Sequence, residues 1–270
     1  MKNDAKKNVK VVEYTDESGQ DFSGISRNTI TVDENYRYLS KNPFRKLLEF
    51  LIYRVIMTPF AALYCRLKFR YRIVGREKLR DAGNRGYFVY SNHTLMAGDA
   101  FFPSLISFPR RVRVIVNADN ISVKATKGFI ECCGAIPLPT KLSGMKHFLT
   151  AIRFYCQKKN VIQVYPEAHI WPYYVGIRRF PSAGFVYPIR MGLPVFTSTV
   201  TYQKKGCRKT PAVTIYVDGP FYPTEGQPER KQAAELCDAV FETMQKRAKN
   251  STYEAIRYVK VSKDEEGSAE

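Results

Sequence analysis

Short apolar runs alternate along the chain with segments of helical spacing. Tyr71–Val74, Tyr87–Tyr90 (YFVY), Val112–Val116 (VRVIV), Val161–Tyr165 (VIQVY), Val195–Tyr202 and Val213–Val217 have strand composition. Gly75 closes the first, Ser91-Asn92-His93 leads out of the second, and Pro166 breaks the fourth. Helices are predicted over Ala100–Ile106, Lys124–Cys132, Gly144–Tyr155 and Pro228–Lys249. In the third, Phe148, Leu149, Ile152 and Tyr155 share a side while Arg153 falls off the stripe; in the last, Leu236, Val240, Phe241 and Met244 point inward. Gly134–Pro137 reads as a turn into a short edge strand, and Gly192-Leu193-Pro194 as a turn into a buried one. This is the spacing of crossover units. It predicts a single α/β domain whose mostly parallel or mixed sheet is flanked by helices, with ligands bound outside the carboxyl ends of strands.

One segment breaks the alternation. From Leu47 to Cys65 the chain reads LLEFLIYRVIMTPFAALYC, in which only Glu49 and Arg54 are charged. Lys41, Arg45 and Lys46 precede this run; Arg66, Lys68, Arg70 and Arg72 follow it. An apolar helix flanked by cations suits a membrane interface, where side chains enter the headgroup layer and cations meet anionic lipid. A core helix with a solvated basic flank is the competing reading. The two internal charges and Pro59 argue against an ordinary span. The pattern divides the chain into a polar arm (1–40) read as loose, a basic and apolar membrane-associating segment (41–73), a catalytic-size domain (74–250) and a tail (251–270).

Composition narrows the partners. The 270 residues are 44% hydrophobic and 25% charged, which excludes collagen-like, low-complexity and wholly disordered chains. Net charge is +18, which points to nucleic acid, an anionic membrane or phosphorylated substrates. Residues 1–40 are nearly neutral at −1, whereas residues 41–80 carry +9, half of the excess beside the apolar run. With no nucleic-acid-binding motif in view, the charge favours a lipid bilayer and no specific nucleic acid. Six cysteines form no CxxC pair and three histidines form no evident zinc cluster, so no metal is expected. No apolar stretch directly follows Met1-Lys-Asn-Asp, so free thiols in a reducing cytosol are expected. The expected location is peripheral or interfacial, on the cytoplasmic face of a membrane.

Three segments can carry chemistry. The first is Tyr90-Ser-Asn-His-Thr-Leu-Met-Ala-Gly-Asp99. Asn92 can hold the loop, and Asp99 at the opening of a helix can reach back to His93. A histidine oriented by a carboxylate can take a proton from a hydroxyl; a lone histidine after a strand is otherwise structural. The second is Tyr165-Pro-Glu-Ala-His169, where Glu167 and His169 are either solvated turn residues or groups that orient a substrate hydroxyl or a neighbouring cation. The third runs from Phe180 to Phe196 and is scaffold. Just before it, Arg178 and Arg179 can receive a phosphate or stand as solvated surface.

In this order the motifs resemble those of the glycerolipid acyltransferases, the lysophospholipid acyltransferase superfamily that makes phosphatidate from lysophosphatidate. The family's first motif is Asn-His, four residues, Asp; here Asn92-His93 is followed by five residues and Asp99, an extra residue to be absorbed at Gly98, whose backbone permits unusual angles. Its second motif, a glycine before an apolar strand and basic residues, is similar to Gly134–Lys141, with Lys141 near the cationic position. Its third, Phe-Pro-Glu-Gly-Thr-Arg, is here Tyr165-Pro-Glu-Ala-His-Ile170, which keeps Pro-Glu and lacks the Gly, the Thr and the phosphate-binding Arg. Its fourth resembles Ala183–Val195. The likeness spans residues 45–220.

The resemblance implies that Asp99 fixes His93, which deprotonates the free hydroxyl of lysophosphatidate or a related lysophospholipid. The alkoxide then attacks the thioester of acyl-CoA or acyl carrier protein. Glu167 positions the acceptor, and Asn92, Lys141, His169, Arg178 and Arg179 supply binding; no cofactor or metal is required. The altered third motif keeps open a different lipid acceptor, a glycolipid or an ornithine-type lipid, and the altered spacing keeps open a catalytically inactive membrane-binding homologue.

Overall fold

The structure, a computed structural model, describes residues 9–24, 28, 30–204, 206 and 210–261. The acidic tail at 262–270 and Cys207 lie outside the described residues. The strands are β1 (Lys10–Tyr14), β2 (Arg72–Val74), β3 (Tyr87–Ser91), β4 (Val112–Val116), β5 (Ala135–Pro137), β6 (Val161–Val164), β7 (Val195–Gln203), β8 (Ala212–Phe221) and β9 (Ile256–Lys260). The α-helices are α1 (Pro43–Phe50), α2 (Thr58–Phe69), α3 (Gly98–Ile106), α4 (Lys124–Cys132), α5 (Met145–Gln157), α6 (Val186–Met191) and α7 (Glu229–Ala248).

Seven strands make one sheet in the order β2-β8-β7-β3-β6-β4-β5. The five from β7 to β5 are mutually parallel, and the antiparallel β7–β8 pairing turns the last two the other way. Alternation along β3 shows why the sheet is covered on both faces. Phe88 and Tyr90 enter a core with α5 and α7, while Tyr87 and Val89 enter a second core with α2 and α3. Such a strand reads as continuously apolar, as YFVY does. The edge at β5 is three residues long and ends in Pro137.

α1, a π-helical stretch at Leu51–Met57 and α2 run as one helix of 27 residues. Asn42 caps it by accepting from the Phe44 N–H at 2.9 Å, Pro43 opens it, and Arg70 ends it in the left-handed conformation. Tyr53, Thr58, Ala61, Cys65 and Phe69 are its buried positions. The five-residue step from Tyr53 to Thr58 is the π turn, whose extra residue keeps Tyr53 on the buried stripe. Thr58 Oγ1 donates to the Tyr53 carbonyl at 2.7 Å, and Tyr53 Oη accepts from the Val112 N–H. The other faces stay bare: Phe44 is 81% exposed, and Leu47, Val55, Ile56, Leu63 and Leu67 are exposed as well. That exposure does not fit the core-helix reading.

The N-terminal arm, read as loose from its polarity, is tied down over its described residues. β1 pairs in parallel with β9, from Lys10 opposite Ile256 to Tyr14 opposite Lys260. Further on, Val32 is fully buried; its carbonyl accepts from the Thr140 N–H, and its N–H donates to Thr140 Oγ1. Tyr38 Oη donates to the Pro137 carbonyl at 3.0 Å. The arm thereby covers the short edge that β5 leaves.

Candidate active site

The site forms where β3 and β6, neighbours in the sheet, release their chains at their carboxyl ends. Asn92 extends the β3–β7 pairing by one side chain: its amide donates to the Val200 carbonyl at 3.1 Å and accepts from the Val200 N–H at 2.8 Å. Both ends of that buried amide are used, so Asn92 holds the loop rather than meeting a ligand. His93 follows, with its side chain 23% exposed. Its Nδ1 lies 2.7 Å from Asp99 Oδ2. A carboxylate there accepts from Nδ1–H, which leaves Nε2 with a lone pair for a substrate proton.

The extra residue between His93 and Asp99 does not separate them. The segment folds as a tight turn in which the Asp99 N–H donates to the Leu95 carbonyl at 2.8 Å, and Asp99 Oδ2 accepts from the Leu95 N–H at 2.9 Å. Gly98 enables this through closeness rather than through an unusual backbone angle. A Cβ on it would stand 2.9 Å from Leu95 Cβ and 3.1 Å from Phe102 Cε2. Asp99 is buried; burial pushes its pKa up, and the hydrogen bond from His93 opposes that shift.

Tyr165, at the end of β6, completes the setting of the imidazole. Its ring stacks on His93 with centroids 4.6 Å apart, and its hydroxyl donates to the Asp99 carbonyl at 2.6 Å. The turn that follows is sharp. Ala168 takes the left-handed conformation (φ 62°) at the position where the resembling family has glycine, and the His169 N–H donates to the Glu167 carbonyl at 2.7 Å.

Glu167 is fully buried and braces the loop. Its Oε2 accepts from the His93 N–H at 3.1 Å and from Arg178 Nη2 at 3.1 Å, while Oε1 accepts from the Arg178 N–H at 3.1 Å. Burial raises its pKa, and the Arg178 charge opposes that. Arg178 is itself 1% exposed, lies over the Trp171 ring at 4.8 Å and donates to the His169 carbonyl. The expectation that Arg178 receives a phosphate does not fit this position, because a buried guanidinium spent on Glu167 has no open side to offer.

The remaining expected binding residues stand apart. The His169 ring turns toward Asp21, 3.9 Å away. Arg179 is exposed and covers Phe241 of α7 at 4.1 Å. Lys141 is exposed beyond β5, three strands from β3, or roughly 14 Å across the sheet.

Three residues near the site lacked a distinct signal in the sequence. Tyr165 opened the Tyr-Pro-Glu segment with nothing to assign it a role, and Trp171 lay outside any motif. Lys68 was one cation of a basic flank. Its Nζ donates to Tyr64 Oη at 2.7 Å, and its charge acts on Tyr173, whose N–H donates to the Thr94 carbonyl beside His93.

No protein-family model matches the chain, and no curated protein matches it in sequence. Its fold is similar to the crystal structure of the 1-acyl-sn-glycerophosphate (LPA) acyltransferase, PlsC, from Thermotoga maritima. That match has a TM-score of 0.54 at 15% identity and covers 80% of this chain and 87% of that one. The likeness is one of fold.

Proposed function

We propose that this protein is a membrane-bound acyltransferase that moves a fatty acyl group from a thioester donor to the hydroxyl of a lysophospholipid. The observation that carries the reading is the 2.7 Å contact between His93 Nδ1 and a buried Asp99, at the carboxyl end of a central parallel strand. His93 Nε2 takes the proton of the acceptor hydroxyl as its oxygen bonds to the thioester carbonyl carbon. The tetrahedral adduct collapses, the carbon–sulfur bond breaks, and the thiolate takes the proton back. Asp99, Tyr165 and Glu167 act through His93 as positioning residues. Glu167 does so from below the loop, not by contact with the acceptor. Lys68, whose charge acts on Tyr173 beside Thr94, is a cation suited to an acceptor phosphate. The bare apolar face of α1 and α2 enters the headgroup layer, where acceptor and product both reside.

The donor is acyl-CoA or acyl carrier protein. Thiol release from each, with and without lysophosphatidate in detergent micelles, tests the reading beside His93→Ala. Acceptor-dependent release that is lost in the variant is the expected result. Release that ignores the acceptor would make the protein a thioesterase. No release from either donor would remove lysophosphatidate. A second acceptor class, a glycolipid or an ornithine-type lipid, is favoured by one observation: buried Ile170 stands where the resembling family has its phosphate-binding arginine, and Arg178 does not replace it. An acceptor panel separates the two, and a folded, vesicle-bound protein inactive on all of them would be a membrane-binding homologue without turnover.

A further inference from the structure

The chain has one tryptophan, Trp171, and it is fully buried within an aromatic cage supplied by both ends of the chain. Tyr14 of β1 lies 4.7 Å from it, Phe22 5.2 Å, and Tyr258 of β9 stacks on it at 4.8 Å. Polar bonds fix the same arrangement. Trp171 Nε1 donates to the Gln20 carbonyl at 2.8 Å, the Phe22 N–H donates to the Ile170 carbonyl at 3.2 Å, and Tyr258 Oη donates to the Pro172 carbonyl at 3.0 Å.

From Trp171 two routes lead to His93. The first is direct: the Trp171 N–H donates to the His93 carbonyl at 3.1 Å. The second runs through Arg178, which lies over the indole, pairs with Glu167 and so fixes the carboxylate that accepts from the His93 N–H. His93 is therefore held at both its N–H and its C=O by groups that rest on Trp171. Among the described residues, the two strands supporting Trp171 pair only with each other. Cage and strand pair thus lie outside the main sheet, and the imidazole depends on them for its place.

We propose that Trp171 is a positioning residue for His93, and that the paired chain ends hold it there, so that the imidazole reaches its working geometry only while β1 and β9 are joined. The inference rests on the acyltransferase reading for its kinetic consequence and on geometry alone for the rest.

The test uses Phe22→Ala in the full chain, since Phe22 touches both Trp171 and Tyr258 yet lies outside both main cores. Three signals are read below the melting temperature: Trp171 fluorescence, the downfield proton resonance of His93 Nδ1–H, and thiol release. The expected result is red-shifted emission, a broadened or lost His93 proton signal, and kcat lowered at least tenfold with KM within twofold. Phe22→Tyr restores all three. If Phe22→Ala does not fold cooperatively, Phe22→Leu replaces it, with the same signals changed in the same direction. Red-shifted emission with an intact His93 signal and unchanged kcat would overturn the proposal, because the cage would then have opened without moving the base. A wild-type protein that releases no thiol with any acceptor of the panel, but whose His93 signal still disappears in the variant, would sustain the positioning role and refute the acyltransferase reading.

Discussion

Glu49 is the acidic residue inside the apolar leader, and replacing it with leucine is the most informative single change outside the active site. Its Oε2 accepts from Arg111 at 3.2 Å and from Arg113 at 3.3 Å. The Arg113 side chain is 8% exposed and that of Arg111 21%, and the Nε atoms of both lack a partner among the described residues. Two largely dehydrated cations thus share one carboxylate. Burial, with Arg113 adding to it, already lowers the Arg111 pKa to about 10. Glu49→Leu removes the counter-charge while both guanidiniums stay buried, a change that costs about 3–5 kcal/mol. For a domain of this size that is a fall in Tm of roughly 6–20 °C. Thermal unfolding followed by far-ultraviolet circular dichroism at pH 7 measures it. Adding Arg111→Leu and Arg113→Leu to Glu49→Leu should recover most of the loss, since an apolar cluster needs no counter-charge. A single variant melting within 1 °C of wild type, or a triple variant no better than the single, would refute the reasoning and show that water already solvates the arginines.

Three further outcomes follow from the same geometry. Asp99→Asn leaves His93 without a charged partner and should lower kcat by about 100- to 10,000-fold with little change in micelle binding; the same acceptor-dependent thiol assay measures it. Ala168→Gly should raise stability by about 0.5–1 kcal/mol in urea unfolding, because the left-handed conformation costs alanine about 1–2 kcal/mol and glycine only its extra chain entropy. Asp218 accepts from Arg247 at 2.7 Å and from Lys78 at 2.7 Å; burial pushes its pKa up, but these two cations outweigh burial and hold it below the ordinary carboxylate value. Its stabilisation is therefore present above that ordinary value and lost as pH falls through the lowered one. Asp218→Asn, discounted for the partly exposed cations, should lower Tm by roughly 2–4 °C at pH 7 and by nothing in strong acid.

The sheet was legible in the sequence because each central strand is buried on both faces and so reads as a short run dominated by apolar, aromatic and β-branched residues. The same runs place His93 and Glu167 at strand exits, where a parallel sheet puts its ligands. The β1–β9 pair was not legible. Its strands mix apolar with charged side chains without a clean period, are largely exposed, and find each other across about 245 residues of chain, which no local pattern encodes. Arg178 shows a second limit. Beside Arg179 it looks like half of a surface pair, yet the turn at Ala168 swings Glu167 under it and buries both, while Arg179 remains outside. Gly98 shows a third, since its role depends on the distance to Leu95 across a turn and not on its own backbone angle.

The pairing of β1 with β9 also fixes an order of events during synthesis. Lys10 leaves the ribosome about 245 residues before its partner Ile256, an interval of roughly 12–50 s at ordinary elongation rates. In that interval the apolar leader is already outside and can meet a bilayer, while the strand that finishes the tryptophan cage has not yet been made. On the proposed reading, the nascent chain can reach a membrane well before its histidine loop is braced, and the imidazole takes its place only after β9 has been made.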